Sequence, residues 1–143
     1  MDLLDVKTAE QFAREKHESQ KDKNGDPYIL HPMRVATSLD DPDAKIVALL
    51  HDILEDTQTT TAELVALGVT EQQLQALLLL NHAKDEPYLS YLAKVRENSL
   101  ALTVKMADLA DNSNPERLAR LPKEKAEELR LKYEGAYAFL RES

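Results

Sequence analysis

The chain has no cysteine among its 143 residues, which excludes disulfides, thiolate metal sites and a cysteine nucleophile. That absence fits a reducing compartment, and a cytoplasmic location is the expectation. Only three glycines are present and β-branched residues rarely alternate, which leaves little material for strands. Long apolar runs are missing too. Ala76 to Leu80 falls far short of a bilayer span, and the opening MDLLDVKTAE has neither the basic start nor the apolar body of a signal segment. Positive charge is in deficit, with 18 Lys and Arg against 26 Asp and Glu and a formal charge of -8. This balance disfavours non-specific attraction to nucleic acid or to an anionic membrane, and an anionic substrate would need a local cation.

What the chain does have is helix formers. With 43% apolar and 31% charged residues, it reads as one folded domain over 1–143, and the pattern predicts an all-α helical bundle. A first helix is expected from Asp5 to Glu18, followed by the polar loop QKDKNGDP with its Asn24-Gly25 and Asp26-Pro27 turn signals. His31-Pro32 opens a short helix toward Leu39, and Asp41-Pro42 opens the next. Thr60-x-x-Glu63 and Thr70-x-x-Gln73 match the capping box, with Gly68 placed as a C-terminal glycine. Later helices are expected over 88–97, 99–112 and 123–141. The last carries Ala126, Leu129, Tyr133, Ala136, Tyr137 and Leu140 at heptad-like spacing, which suits packing on its own core or on a partner, so oligomeric state stays open.

The stretch ALLHDILEDT, residues 48–57, changes character abruptly. Ile46, Val47, Leu49, Leu50, Ile53 and Leu54 wrap most of a helical cylinder, so the helix from Pro42 is central and buried. Its continuation carries His51, Asp52, Glu55 and Asp56 out of the core. Carboxylates at a helix C-terminus are disfavoured by roughly 0.3 to 1 kcal/mol each. Seven acids and one lysine between Asp40 and Glu63 add repulsion, which a bound cation would reverse. His31 before a proline, and Asp108 in the apolar helix LTVKMADLADN, can complete the set. Two imidazoles and two carboxylates form a mixed N,O site suited to manganese, iron, zinc or magnesium. Plainer roles exist for each residue alone: Asp108 paired to Lys105, His31 capping its helix, Lys23 in a solvated loop, and Tyr133 and Tyr137 as core packing. His17 and His82 read as structural or exposed.

Taken in order, His31, His51-Asp52 and Asp108 resemble the H...HD...D signature of the HD-domain metal-dependent phosphohydrolases. Within that group, FAREKHESQKDKNGDPYILHPMRVA looks like the opening of the RelA/SpoT-type alarmone hydrolase domain. ALLHDILEDT resembles its HD-x-x-ED helix, and VKMADLADN resembles its K-x-AD-x-x-x-N helix. The similarity runs from about residue 10 to 118. The synthetase domain of the long members has no counterpart here, so the resemblance implies a small stand-alone hydrolase.

That resemblance implies a single HD-type bundle whose metal site lies between central helices. It implies His31, His51, Asp52 and Asp108 as ligands of one divalent metal, Mn²⁺ in the family. Glu55 and Asp56 would activate or position the attacking water. Asn112 would contact the nucleotide sugar region, and Lys23 the base. The implied reaction is removal of the 3′-pyrophosphate of (p)ppGpp or a related nucleotide. The alternatives are an HD-type nucleotidase or phosphatase on another nucleotide, and a non-catalytic nucleotide-binding module. Two departures stand out. Asp22-Lys23 replaces the family's Arg-Lys pair, removing a stacking arginine, and Leu109-Ala110-Asp111 replaces Arg-Leu-His, giving a less basic rim.

Overall fold

The computed structural model describes residues 4–142, so the ends of the expected 1–143 domain and the first residues of the MDLLDVKTAE segment lie outside the described part. In chain order the helices are α1 Val6–Lys16, α2 Leu30–Thr37, α3 Pro42–Leu50, α4 Ile53–Asp56 and α5 Thr61–Leu67. They continue with α6 Glu71–Leu80, α7 Tyr88–Arg96, α8 Ser99–Asn112, α9 Pro115–Leu118 and α10 Lys123–Arg141. The described residues contain no strand, only an isolated antiparallel bridge between Lys21 and Pro27.

Boundaries follow local chemistry. Asp5 caps α1 by accepting from the Thr8 N–H at 2.7 Å, and Asp41 caps α3 ahead of Pro42. Both capping boxes close, at Thr60 with Glu63 and at Thr70 with Gln73. Gly68 ends α5 at φ 114°, a left-handed conformation that glycine adopts without a Cβ penalty. α2 starts at Leu30, one residue before the expected His31, and has no side-chain cap, so His31 is free for another use.

Two helices are central. α3 packs on α1, α2, α6 and α8, while α8 packs on α2, α3, α6, α7 and α10. Ala44, Ile46, Val47, Ala48, Leu49 and Leu50 are all buried on α3, nearly the whole cylinder. α10 lays Leu129, Tyr133, Ala136 and Leu140 into the same core, so its apolar stripe is spent within this chain.

One expectation is corrected here. ALLHDILEDT does not form a continuous helix: α3 stops at Leu50, His51 is its C-cap, and Asp52 at φ -100°, ψ 0° precedes α4. The His51 ring donates from Nδ1 to the Ala48 carbonyl at 2.5 Å, so side chain and ladder compete for the acceptor that would carry the helix onward. Glu55 and Asp56 consequently lie in the first turn of α4 and not at the C-terminal end of a long helix. The dipole penalty expected for them does not arise, and the cost falls instead on burying His51 and Asp108.

Because Leu50 is 0% exposed at the centre of this core, Leu50→Ala is expected to cost about 2–5 kcal/mol. Urea unfolding should show a lower midpoint with an unchanged slope.

Candidate metal centre and cleft

Asp108 falls on the buried stripe of α8 with Ala101 and Val104, where periodicity calls for an apolar side chain. A carboxylate there needs partners on every side. Lys105, one turn back, places Nζ 3.0 Å from Oδ2. Oδ1 faces His31 Nε2 at 2.8 Å and His51 Nε2 at 3.3 Å, and accepts from Asn112 Nδ2 at 3.1 Å. His31 comes from α2, His51 from the end of α3, and Asp108 from α8. Their ligand atoms all lie within 4.8 Å of one another. Asp52 completes the corner, with Oδ2 3.1 Å from His51 Nε2 and 3.9 Å from His31 Nε2. The Tyr28 hydroxyl donates to that same Asp52 oxygen.

The tautomers decide what this cluster can hold. His51 commits its Nδ1–H to the Ala48 carbonyl, so a neutral ring turns the Nε2 lone pair toward two carboxylate oxygens. That nitrogen is buried and has no hydrogen-bond partner. His31 contacts Asp111 through Nδ1 at 2.6 Å, leaving Nε2 to the cluster. Two imidazole nitrogens and two carboxylates around a common point need positive charge between them, and this donor set fits a divalent cation.

Without that cation the rings attract protons. Burial pushes the His51 imidazole down, yet Asp52 and Asp108 outweigh it and hold it well above its ordinary value. His31 is raised on the same balance against Asp108 and Asp111. Burial alone would lift Asp108, but the Lys105 ammonium and the two histidines hold it well below the usual carboxylate range. Glu55 and Asp56 move the other way. Partial burial and the Asp52 charge raise both, so among the carboxylates of the site these two hold a proton most readily.

The cluster forms the floor of a cleft of 420 Å³, the right scale for a small ligand. Glu55 and Asp56 line one wall, and Lys21, Lys23, Arg117 and Lys132 supply the local cations that an acidic protein needs for an anionic ligand. Tyr88 and Tyr91 stack near His82, with Lys132 4.9 Å over the Tyr88 ring and Lys105 5.3 Å over the Tyr91 ring. Tyr133 serves both purposes, being buried in the core and exposed at its edge to the cleft.

No family model matches the chain. It is 35% identical over 119 residues to the guanosine-3′,5′-bis(diphosphate) 3′-pyrophosphohydrolase of Aquifex aeolicus, covering 76% of this chain and 17% of that protein. It is 30% identical over 134 residues to a probable guanosine-3′,5′-bis(diphosphate) 3′-pyrophosphohydrolase of Mycoplasma pneumoniae, covering 80% of this chain and 18% of the relative. A GTP pyrophosphokinase rsh of Brucella melitensis shares 36% identity over 115 residues, 71% of this chain and 15% of its own length. This chain is a RelA/SpoT hydrolase-like HD domain. A solved structure described as a metazoan ortholog of SpoT that hydrolyzes ppGpp has the same fold. Its TM-score is 0.75 at 23% identity, over 95% of this chain and 85% of the other. The RelA/SpoT hydrolase-like domain spans less than a fifth of the length of the curated relatives it matches.

Within this RelA/SpoT hydrolase-like domain, His31, His51, Asp52 and Asp108 meet at one point, Glu55 and Asp56 stand beside it, and Lys23 and Asn112 line the same cleft. Asp22, where the resemblance leads one to expect arginine, builds the loop. Its Oδ1 accepts from the Asn24 and Asp26 N–H groups at 2.9 and 3.0 Å, around Gly25 at φ 84°. The rim is less depleted of positive charge than Leu109-Ala110-Asp111 implies, because Arg117 arrives from α9. That four-residue helix is too short to show periodicity and was not foreseen. Sequence reading also did not assign Tyr28 or Asp111 to the site. Their spacing, three residues before His31 and three after Asp108, is the signal available.

Asp111 is drawn up by burial, but His31 and Arg34 outweigh this and hold it at about 2, below the ordinary 3.8. A depressed carboxylate contributes stability that is fully present above its unfolded value and is lost as pH falls through its folded one. The stability gap between wild type and Asp111→Asn should therefore be wide above 3.8 and close as pH falls toward about 2. Urea titrations across that window measure it.

Proposed function

We propose that this domain is a metal-dependent phosphohydrolase that removes the 3′-pyrophosphate of (p)ppGpp or a closely related nucleotide, releasing GDP or GTP and pyrophosphate. The observation that carries the reading is the partnerless, buried Nε2 of His51, turned toward two carboxylates at the floor of a lysine-rimmed cleft. His31, His51, Asp52 and Asp108 are the ligands in this proposal, and Mn²⁺ is the metal. When bound, such an ion supplies an acidified water and neutralises charge on phosphoryl oxygens.

The chain's own residues account for the rest. Glu55 and Asp56, both with raised proton affinity, stand where either can take the proton of an attacking water. Water oxygen bonds to the near phosphorus of the 3′-pyrophosphate, the bond from that phosphorus to O3′ breaks, and O3′ leaves with a proton. Lys105 holds Asp108 in place, and its charge near the floor also favours phosphate oxygens. Lys23 and Asn112 are the nucleotide-contacting residues, although Asn112 also spends an N–H on Asp108. A nucleotide substrate of this kind implies a cytoplasmic setting. No helix among the described residues is long and apolar enough to cross a membrane.

The loop favours one second reading. With Asp22 tied into the turn and no arginine beside Lys23, guanine loses a stacking partner, which supports a related nucleotide as substrate and an HD-type nucleotidase as the alternative.

Purified protein with Mn²⁺ and labelled ppGpp is expected to release pyrophosphate, and His51→Ala and Glu55→Ala to lower the rate by at least about 100-fold. Phosphate released from nucleoside monophosphates, with ppGpp untouched, would favour the nucleotidase. Nucleotide binding without turnover under any divalent ion would favour a non-catalytic module.

A further inference from the structure

Asp111 is the residue whose surroundings the proposed chemistry leaves unexplained. It sits on α8 one turn past Asp108, at a position where the resemblance leads one to expect histidine. Its Oδ2 lies 2.6 Å from His31 Nδ1. Arg34, one turn past His31 on α2, grips both carboxylate oxygens, Nε to Oδ1 at 2.8 Å and Nη2 to Oδ2 at 3.1 Å. Arg117 from α9 adds Nη1 at 2.9 Å to Oδ2, and the same nitrogen donates to the Asp111 carbonyl at 2.9 Å. Only 11% of the Asp111 side chain is exposed.

Two arginines are more than a surface tether needs. Three separate donors fix both oxygens of one carboxylate, which also faces the His31 Nδ1 at 2.6 Å. An imidazole can present Nε2 to the cluster as a lone pair only while Nδ1 carries the proton. An acceptor held at Nδ1 selects that tautomer and locks the ring plane.

We infer that Asp111, clamped by Arg34 and Arg117, is a positioning residue that fixes the His31 tautomer and orientation for metal binding. The inference rests on the reading that His31 is a metal ligand. Carboxylate partners of ligating histidines typically contribute about 10–100-fold in metal affinity. The arrangement also ties the loop to the site: Arg117 Nη2 approaches Asp22 Oδ2 at 3.6 Å, and the Asn24 side-chain amide donates to the Arg117 carbonyl at 3.4 Å. The carboxylate that orients His31 thus shares an arginine with the segment expected to meet the base.

Two measurements on purified protein test this. In calorimetric titrations of metal-stripped protein with Mn²⁺, Asp111→Ala is expected to weaken binding by about 10–100-fold, with Asp111→Asn, which keeps an acceptor oxygen, in between. In imidazole ¹H–¹⁵N correlation spectra of the metal-free protein at alkaline pH, where the rings are neutral, the share of His31 in the Nδ1–H tautomer should be greater in wild type than in Asp111→Ala, where Asp108 at Nε2 is the one carboxylate left to accept. A merely structural tie would leave that share unchanged. An unchanged Nδ1–H share for His31 in Asp111→Ala, or an affinity within about twofold of wild type, overturns the inference. Should Asp111→Ala not fold, Asp111→Asn carries the same two readouts against wild type. His31→Ala separates the two levels: if it binds Mn²⁺ as wild type does, the metal-site reading itself fails.

Discussion

A single buried carboxylate organises this molecule. Asp108 occupies a core position on α8, and its charge persists there only because Lys105, His31, His51 and Asn112 surround it. Those partners come from α2, the end of α3 and α8, helices that also pack directly on one another. Assembling the core and assembling the site are therefore one event. Removing Lys105 would take away the ammonium that faces the buried Asp108 carboxylate, and breaking a buried pair in this way is strongly destabilising.

The break between α3 and α4 serves the same end. A continuous helix would separate His51 and Asp52 by about 100° around the axis. By ending α3 at Leu50 and giving the Ala48 carbonyl to the His51 ring, the chain instead aims His51 Nε2 and Asp52 Oδ2 at one point, 3.1 Å apart. Tyr28 then reaches over from the loop to the same Asp52 oxygen. His17, buried beneath with its ring 5.0 Å from Tyr28, bonds Gln20, whose amide in turn holds the Asp56 carbonyl. The loop before α2 is thereby anchored to both sides of the break.

Charge is distributed unevenly for a reason. The protein as a whole carries -8, yet the cleft gathers Lys21, Lys23, Lys105, Arg117 and Lys132 around an acidic floor. A floor of carboxylates repels anions unless a cation occupies it, whereas the lysine rim attracts them. The two halves suit a ligand that carries its own negative charge and meets a divalent ion at the bottom. Aromatic faces at Tyr88 and Tyr91 add a flat surface to that cleft.

Much of this was legible in the chain itself, because the signals are local. Caps at Asp5, Asp41, Thr60 and Thr70, the glycine at Gly68, and the α8 and α10 stripes depend on neighbours within one or two turns, and a sequence displays those directly. The order His31, His51-Asp52, Asp108 with Glu55 and Asp56 is equally visible, as is the scarcity of strand material. Contacts between distant segments were not. The end of α3 at His51, Arg117 on the four-residue α9, and Arg34 reaching Asp111 across 77 positions are decided by which helix faces which. Side-chain bonds of that kind have no periodicity, so only the packed fold fixes them.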